Sequence, residues 1–124
     1  MARTSMHEYL DVIQHLQEES EAEVSVSAVA KRLGVSRPSV SEMVKKLTEK
    51  GLVHHARYGK ISLTAKGQRT VRVLSRRHRL WQEFLMSHLG LDEHHAHRAA
   101  CELEHATSAL VERKLSEFLR DPDS

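Results

Sequence analysis

This chain is short of the residues that mark most other protein classes. It carries one cysteine, so no intrachain disulfide can form, which agrees with a reducing cytoplasm and argues against secretion. Aromatic residues reach only 4%, and there are five glycines and two prolines, a composition that reads as predominantly helical. No apolar run approaches the ~20 residues of a membrane span. The opening Met1-Ala2-Arg3-Thr4-Ser5 has no signal-peptide core. A cytoplasmic protein without a membrane partner is expected.

What is present is charge and a modest apolar content. Of 124 residues, 40% are apolar and 29% charged, enough for a small core or two subdomains sharing one long element. The net charge of +2 hides a segregation. Residues 1–30 hold one Arg against six acids, residues 31–69 hold ten Lys/Arg against two acids, and residues 70–124 hold eight against nine. A basic block of net +8 between acidic flanks is the footprint of a localised polyanion-binding surface.

Helical rhythm runs through Met6, Tyr9, Leu10, Ile13 and Leu16, with Thr4 or Ser5 as cap. The stretch Glu18 to Glu23 reads as a loop. A short helix from Ser27 to Leu33 ends at Gly34, and Ser36 caps the next, which carries Pro38 in its first turn and stops at Gly51. Leu52 to Ala56 and Ile61 to Leu63 are brief strands around Arg57-Tyr58-Gly59-Lys60. Thr64 caps a long helix to about His88, Asp92 caps another to about Ala106, and a last helix spans about Ala109 to Leu119. Asp121 to Ser124 reads as a frayed tail.

The segment from Val29 to Met43 fits a helix-turn-helix. Ala30 allows close helix approach, Gly34 makes the turn, and Val29, Leu33, Val35, Val40 and Met43 supply its small core. The start of the second helix presents Ser36, Arg37, Pro38, Ser39, Ser41 and Lys45, at the end that enters a major groove. Serine hydroxyls and the helix N-terminus suit phosphates, and Arg37 suits a base edge. Arg57 and Lys60, at the hairpin tip, suit the backbone or minor groove, as a wing requires.

A second constellation lies far from the basic block. Cys101, Glu104 and His105 stand at i, i+3 and i+4, so one helix face offers thiolate, carboxylate and imidazole, a donor set for a divalent transition metal. Glu8 and Asp11 lie at i, i+3 on the first helix, and His78 and Gln82 at i, i+4 on the long one, each beside apolar residues. His94, His95 and His97 precede the cysteine. Packed helices bring such ligands to one point. His94 and His95, with His7, His15, His54, His55 and His88, are assigned to solvent.

The ordered pieces Ser5-Met6-His7-Glu8-Tyr9-Leu10, the winged helix-turn-helix, Leu63-Thr64-Ala65-Lys66-Gly67, Arg77-His78-Arg79-Leu80, Gly90-Leu91-Asp92 and Cys101-Glu102-Leu103-Glu104-His105 cover nearly the whole chain. In that order they resemble the diphtheria toxin repressor and manganese transport regulator family of metal-dependent transcriptional repressors. The resemblance implies a mainly α chain: a winged helix-turn-helix DNA-binding domain, residues 1–66, then a helical metal-binding and dimerisation domain, residues 67–124. It also implies a homodimer on double-stranded DNA with a palindromic operator. Metal there ties the first helix to the dimerisation domain and sets the spacing of two recognition helices.

Carried over by position, the resemblance implies that Glu8, Cys101, Glu104 and His105 fall on the primary site. It puts His78 and His97 on the ancillary site of the iron-responsive branch, and Asp11 and His78 in the binuclear cluster of the manganese-responsive branch. The chain mixes the two branches. Iron-responsive members tend to carry Met where Glu8 stands, and manganese-responsive ones a carboxylate where Cys101 stands. Gln82 replaces an ancillary-site Glu. With its end at residue 124, the chain is expected to lack the SH3-like domain of the iron branch. Iron(II) is favoured as cofactor, with manganese(II) second.

Two other functions start from the same residues. A winged-helix regulator answering a non-metal effector would make the Cys/Glu/His face a coincidence. A hydrolase would use Cys101 as nucleophile and His105 as base, yet no Gly-rich oxyanion loop accompanies them. A binding protein rather than an enzyme is the expectation.

Overall fold

A computed structural model describes residues 5–20, 24–56 and 60–120. The chain divides into two compact units, Met1–Val71 and Arg72–Ser124. The elements run α1 (Met6–Ser20), β1 (Val24–Ser25), α2 (Val26–Leu33), α3 (Arg37–Glu49), β2 (Val53–His55), β3 (Lys60–Leu63), α4 (Ala65–Ser87), α5 (Glu93–Ala106) and α6 (Ala109–Leu119). The architecture is the expected one, mainly α with a winged helix-turn-helix followed by a helical unit.

In the first unit, small polar side chains start the helices by accepting N–H groups that lack an intrahelical partner. Ser5 Oγ accepts from Glu8 N at 3.1 Å, Ser25 Oγ from Ala28 N at 3.0 Å and Ser36 Oγ from Ser39 N at 3.2 Å. Gly34 ends α2 at φ 69°, a left-handed conformation that a side chain disfavours. The sheet order is β1-β3-β2, all antiparallel, with Val53 opposite Leu63 and Val24 opposite Ile61. Leu10, Ile13, Val29, Val40, Val44, Leu47 and Ile61 are wholly buried in one apolar cluster. At its edge, burial pushes the Tyr9 phenol above its ordinary pKa.

Two expectations change here. Glu18 to Glu23 was read as loop, but α1 continues to Ser20. Glu19 pairs with Arg32 of α2 at 2.9 Å, and Gln17 Oε1 accepts the Leu63 N–H at 3.0 Å, so tertiary partners extend the helix. Strand β1 was not anticipated, because two residues are too few to show alternation. Residues 21–23, the hairpin tip Arg57-Tyr58-Gly59 and the tail 121–124 lie outside the described residues.

The second unit joins the rest of α4 to α5 and α6. Asp92 Oδ1 caps α5 by accepting from His95 N at 2.8 Å, and Ser108 Oγ caps α6 by accepting from Val111 N at 3.1 Å. Polar links fix α4 against the others. Trp81 Nε1 donates to Thr107 Oγ1 at 2.8 Å, and Arg77 Nε to Glu112 Oε1 at 2.7 Å. Among the described residues, no helix is long and apolar enough to cross a membrane.

Candidate metal centre

At about 100° per residue, His97, Cys101 and Glu104 of α5 fall within about 60° of one another, and His105 lies some 40° further round from Cys101. The three face α4, where His78 and Gln82 stand one turn apart. Glu104 is wholly buried, His78 and Cys101 are partly buried and His97 is exposed.

His78 is the hub. Its Nδ1 lies 3.0 Å from Glu104 Oε1 and 3.9 Å from Cys101 Sγ. Its Nε2 lies 3.1 Å from Gln82 Oε1 and 3.1 Å from His97 Nδ1. His97 Nε2 in turn stands 3.6 Å from Cys101 Sγ. A neutral imidazole donates through one nitrogen and keeps a lone pair on the other, so either tautomer of His78 turns a donor lone pair into the cluster.

The donor set fits a transition metal. Ligand atoms at 2.0–2.3 Å from one cation stand roughly 3–4 Å apart. His78, His97 and Cys101 each place one ligand atom within 4.8 Å of the others, so modest side-chain movement closes them on an ion. A wholly buried carboxylate beside an imidazole is also the usual partner that orients a metal-ligating histidine.

The other expected ligands stand apart from this group of contacts. His105 is exposed on α5. On α1, Glu8 is partly buried, and Asp11 faces His15, whose Nδ1 lies 3.6 Å from its Oδ2. His7, assigned to solvent from the sequence, is instead buried at 9% exposure, one turn before the core residue Leu10. His94 and His95 are exposed, and His95 Nδ1 lies 2.9 Å from Asp92 Oδ1. Hydrogen bonds from the His95 backbone and ring hold the Asp92 carboxyl below its usual pKa.

The expected DNA contacts form an exposed row. Ser36, Arg37, Pro38, Ser39, Ser41 and Lys45 are all exposed at the start and outer face of α3, and Lys60 is exposed where β3 leaves the wing. Ser36 Oγ also lies 2.8 Å from Ser39 Oγ, so both hydroxyls serve the cap. Arg57 lies outside the described residues.

Comparison with known proteins assigns the same two parts. Residues 1–61 match the iron-dependent repressor N-terminal DNA-binding domain, and residues 64–124 the iron-dependent repressor metal-binding and dimerisation domain. The chain is similar to the diphtheria toxin repressor of Corynebacterium glutamicum, 37% identical over 113 residues, covering 91% of this chain and 49% of that protein. It is also similar to an uncharacterized HTH-type transcriptional regulator of Methanocaldococcus jannaschii, 34% identical over 115 residues, covering 93% of this chain and 92% of that protein. Among solved structures, the manganese regulator SloR superposes with a TM-score of 0.81 at 36% identity, covering 98% of this chain and 56% of that chain. The chain thus spans about half the length of the corynebacterial relative.

Proposed function

The chain belongs to the iron-dependent repressor family, and from that premise we propose that it is a metal-dependent DNA-binding repressor of metal homeostasis genes. It acts in the cytoplasm as a homodimer on a palindromic operator, and it binds rather than catalyses. Residues 1–66 read DNA and residues 67–124 bind metal and dimerise. The observation that carries this reading is the set of contacts among His78, His97, Cys101 and buried Glu104, on the segment that matches a metal-binding domain.

The residues that would hold the metal are Glu8, Asp11, His78, His97, Cys101, Glu104 and His105, with iron(II) favoured and manganese(II) second. When bound, the metal supplies a link between the carboxylates of α1 and the donors of α4 and α5. Glu104 accepts a proton-bearing nitrogen of His78 and so orients the ring. On the DNA side, Arg37 reads a base edge while Ser36, Pro38, Ser39, Ser41, Lys45, Arg57 and Lys60 meet the backbone. Metal shifts operator affinity only by its differential affinity for the DNA-competent arrangement.

Operator-like duplexes selected from a random pool, then titrated anaerobically at fixed salt, test this. Iron(II) or manganese(II) tightens binding at least about tenfold, a coupling of ordinary size. Glu104→Gln and Cys101→Ala remove the response without unfolding the chain. Equal operator affinity with and without metal overturns the reading.

A further inference from the structure

Cys101 has two possible neighbours on its own helix, His97 one turn before it and His105 one turn after. Its Sγ stands 3.6 Å from His97 Nε2 and 3.9 Å from His78 Nδ1, while His105 is exposed. All three of the grouped residues belong to α4 and α5 and need nothing from the DNA-reading unit to come together. We propose that His78, His97 and Cys101 form a metal site of their own, one that takes zinc-class cations and opposes activation.

The donor chemistry sets the preference. One thiolate and two imidazoles favour zinc or cobalt(II) over manganese(II), which favours carboxylate and water oxygens. Three protein ligands leave a fourth tetrahedral position for water, an arrangement zinc accepts readily. Binding removes the Cys101 thiol proton, which passes to solvent. Glu104, wholly buried and 3.0 Å from His78 Nδ1, then acts as the orienting partner of the ring.

Opposition follows from the shared sulfur. Cys101 belongs both to this trio and to the activating set with Glu8, Glu104 and His105. A terminal thiolate given to the trio is lost to that set. Zinc held here satisfies α4 and α5 without recruiting a carboxylate from α1. This regulatory consequence rests on the proposed metal-dependent repression, whereas the site itself rests on the side-chain geometry.

The test uses the full chain and two arms. In the first, cobalt(II) alone is titrated and followed by absorption. Wild type and His105→Ala are expected to bind one equivalent with a thiolate-to-cobalt charge-transfer band and the intense visible bands of four-coordinate cobalt. His97→Ala, at an exposed position that leaves the helices intact by circular dichroism, loses those bands and binds at least about tenfold more weakly, the loss that removing even an orienting partner brings. Bands retained by His97→Ala but lost in His105→Ala overturn the site.

In the second arm, zinc is added to manganese-loaded protein on its operator. Release of wild type but not of His97→Ala supports the opposition, and zinc tightening operator binding as manganese does overturns it. If the cobalt spectra are as expected but no metal changes operator binding, the site stands and metal-dependent repression falls.

Discussion

The two units distribute polarity in opposite ways. In the first, fourteen apolar side chains from Tyr9 to Val71 form one buried cluster, and the charged row on α3 faces outward. In the second, Glu104, Thr107 and Ser116 are buried while Val73, Met86, Leu89, Leu110, Val111 and Phe118 are exposed. The first pattern is that of a domain holding itself together by apolar burial. The second leaves polar donors inside and apolar surface outside, a pattern that suits partners: a cation for the interior and a second subunit for the exterior. The same molecule thus holds a rigid reader and a unit completed by what it binds.

The largest expected effect comes from overpacking the first unit. Gly67 lies where the first turn of α4 meets the chain before β2, and a Cβ there would stand 2.0 Å from the Leu52 carbonyl oxygen. That oxygen already accepts the Thr64 N–H at 3.1 Å, and Thr64 Oγ1 accepts the Gly67 N–H at 3.0 Å, so the backbone has no room to yield. Gly67→Ala is expected to destabilise the chain by about 3 kcal/mol, at the upper end of overpacking costs. Chemical denaturation measures it, and a loss below about 1 kcal/mol would show this junction to be soft.

The next largest effect should appear in assembly and not in the fold. Leu110 is 58% exposed in the first turn of α6, just after the Ser108 cap. Leu110→Asp puts a negative charge at a helix N-terminus, where it is worth about 0.3–1 kcal/mol in the helix's favour. It also removes an apolar side chain whose burial between subunits is worth roughly 1.5–3 kcal/mol. Sedimentation should show self-association weakened about tenfold or more, with the melting of the monomer unchanged or raised. Unfolding in parallel with dissociation would assign Leu110 to the unit's own core.

How much of this was legible in the sequence follows the same division. Local signals carried the helices: Ser36, Asp92 and Ser108 cap where their spacing placed them, and Gly34 turns where it should. Signals that depend on a distant partner did not carry. Strand β1 exists because Val24 and Ser25 meet Ile61 and Lys60, and the last turn of α1 because Glu19 meets Arg32. In the metal cluster, spacing alone ranked His105 with Cys101 and Glu104. The side of α5 that faces His78 is set by packing on α4, and it brings His97 into contact. His7 was hidden for the same reason, since a histidine one turn from Leu10 reads as surface until the helix is docked.

The smallest effect separates the units by pH. The first unit's helices begin at neutral caps, Ser5, Ser25 and Ser36, whereas α5, which carries His97, Cys101 and Glu104, begins at Asp92. Its carboxyl is held below the usual value by the hydrogen bond from the His95 backbone, then by that from the His95 ring. A carboxylate with a folded pKa below its unfolded one, about 3.9, contributes its full stabilisation above that unfolded value. The contribution is lost as pH falls through the folded pKa. Carboxyl chemical shifts should therefore show Asp92 titrating below the ordinary Asp range, with amide protection in the first turn of α5 falling in the same acid window. Asp92→Asn, which keeps a capping oxygen without a titrating group, should keep that turn's protection flat across the window, as at the serine-capped helices. Titration of Asp92 at or above the ordinary value would remove the pH distinction between the two units.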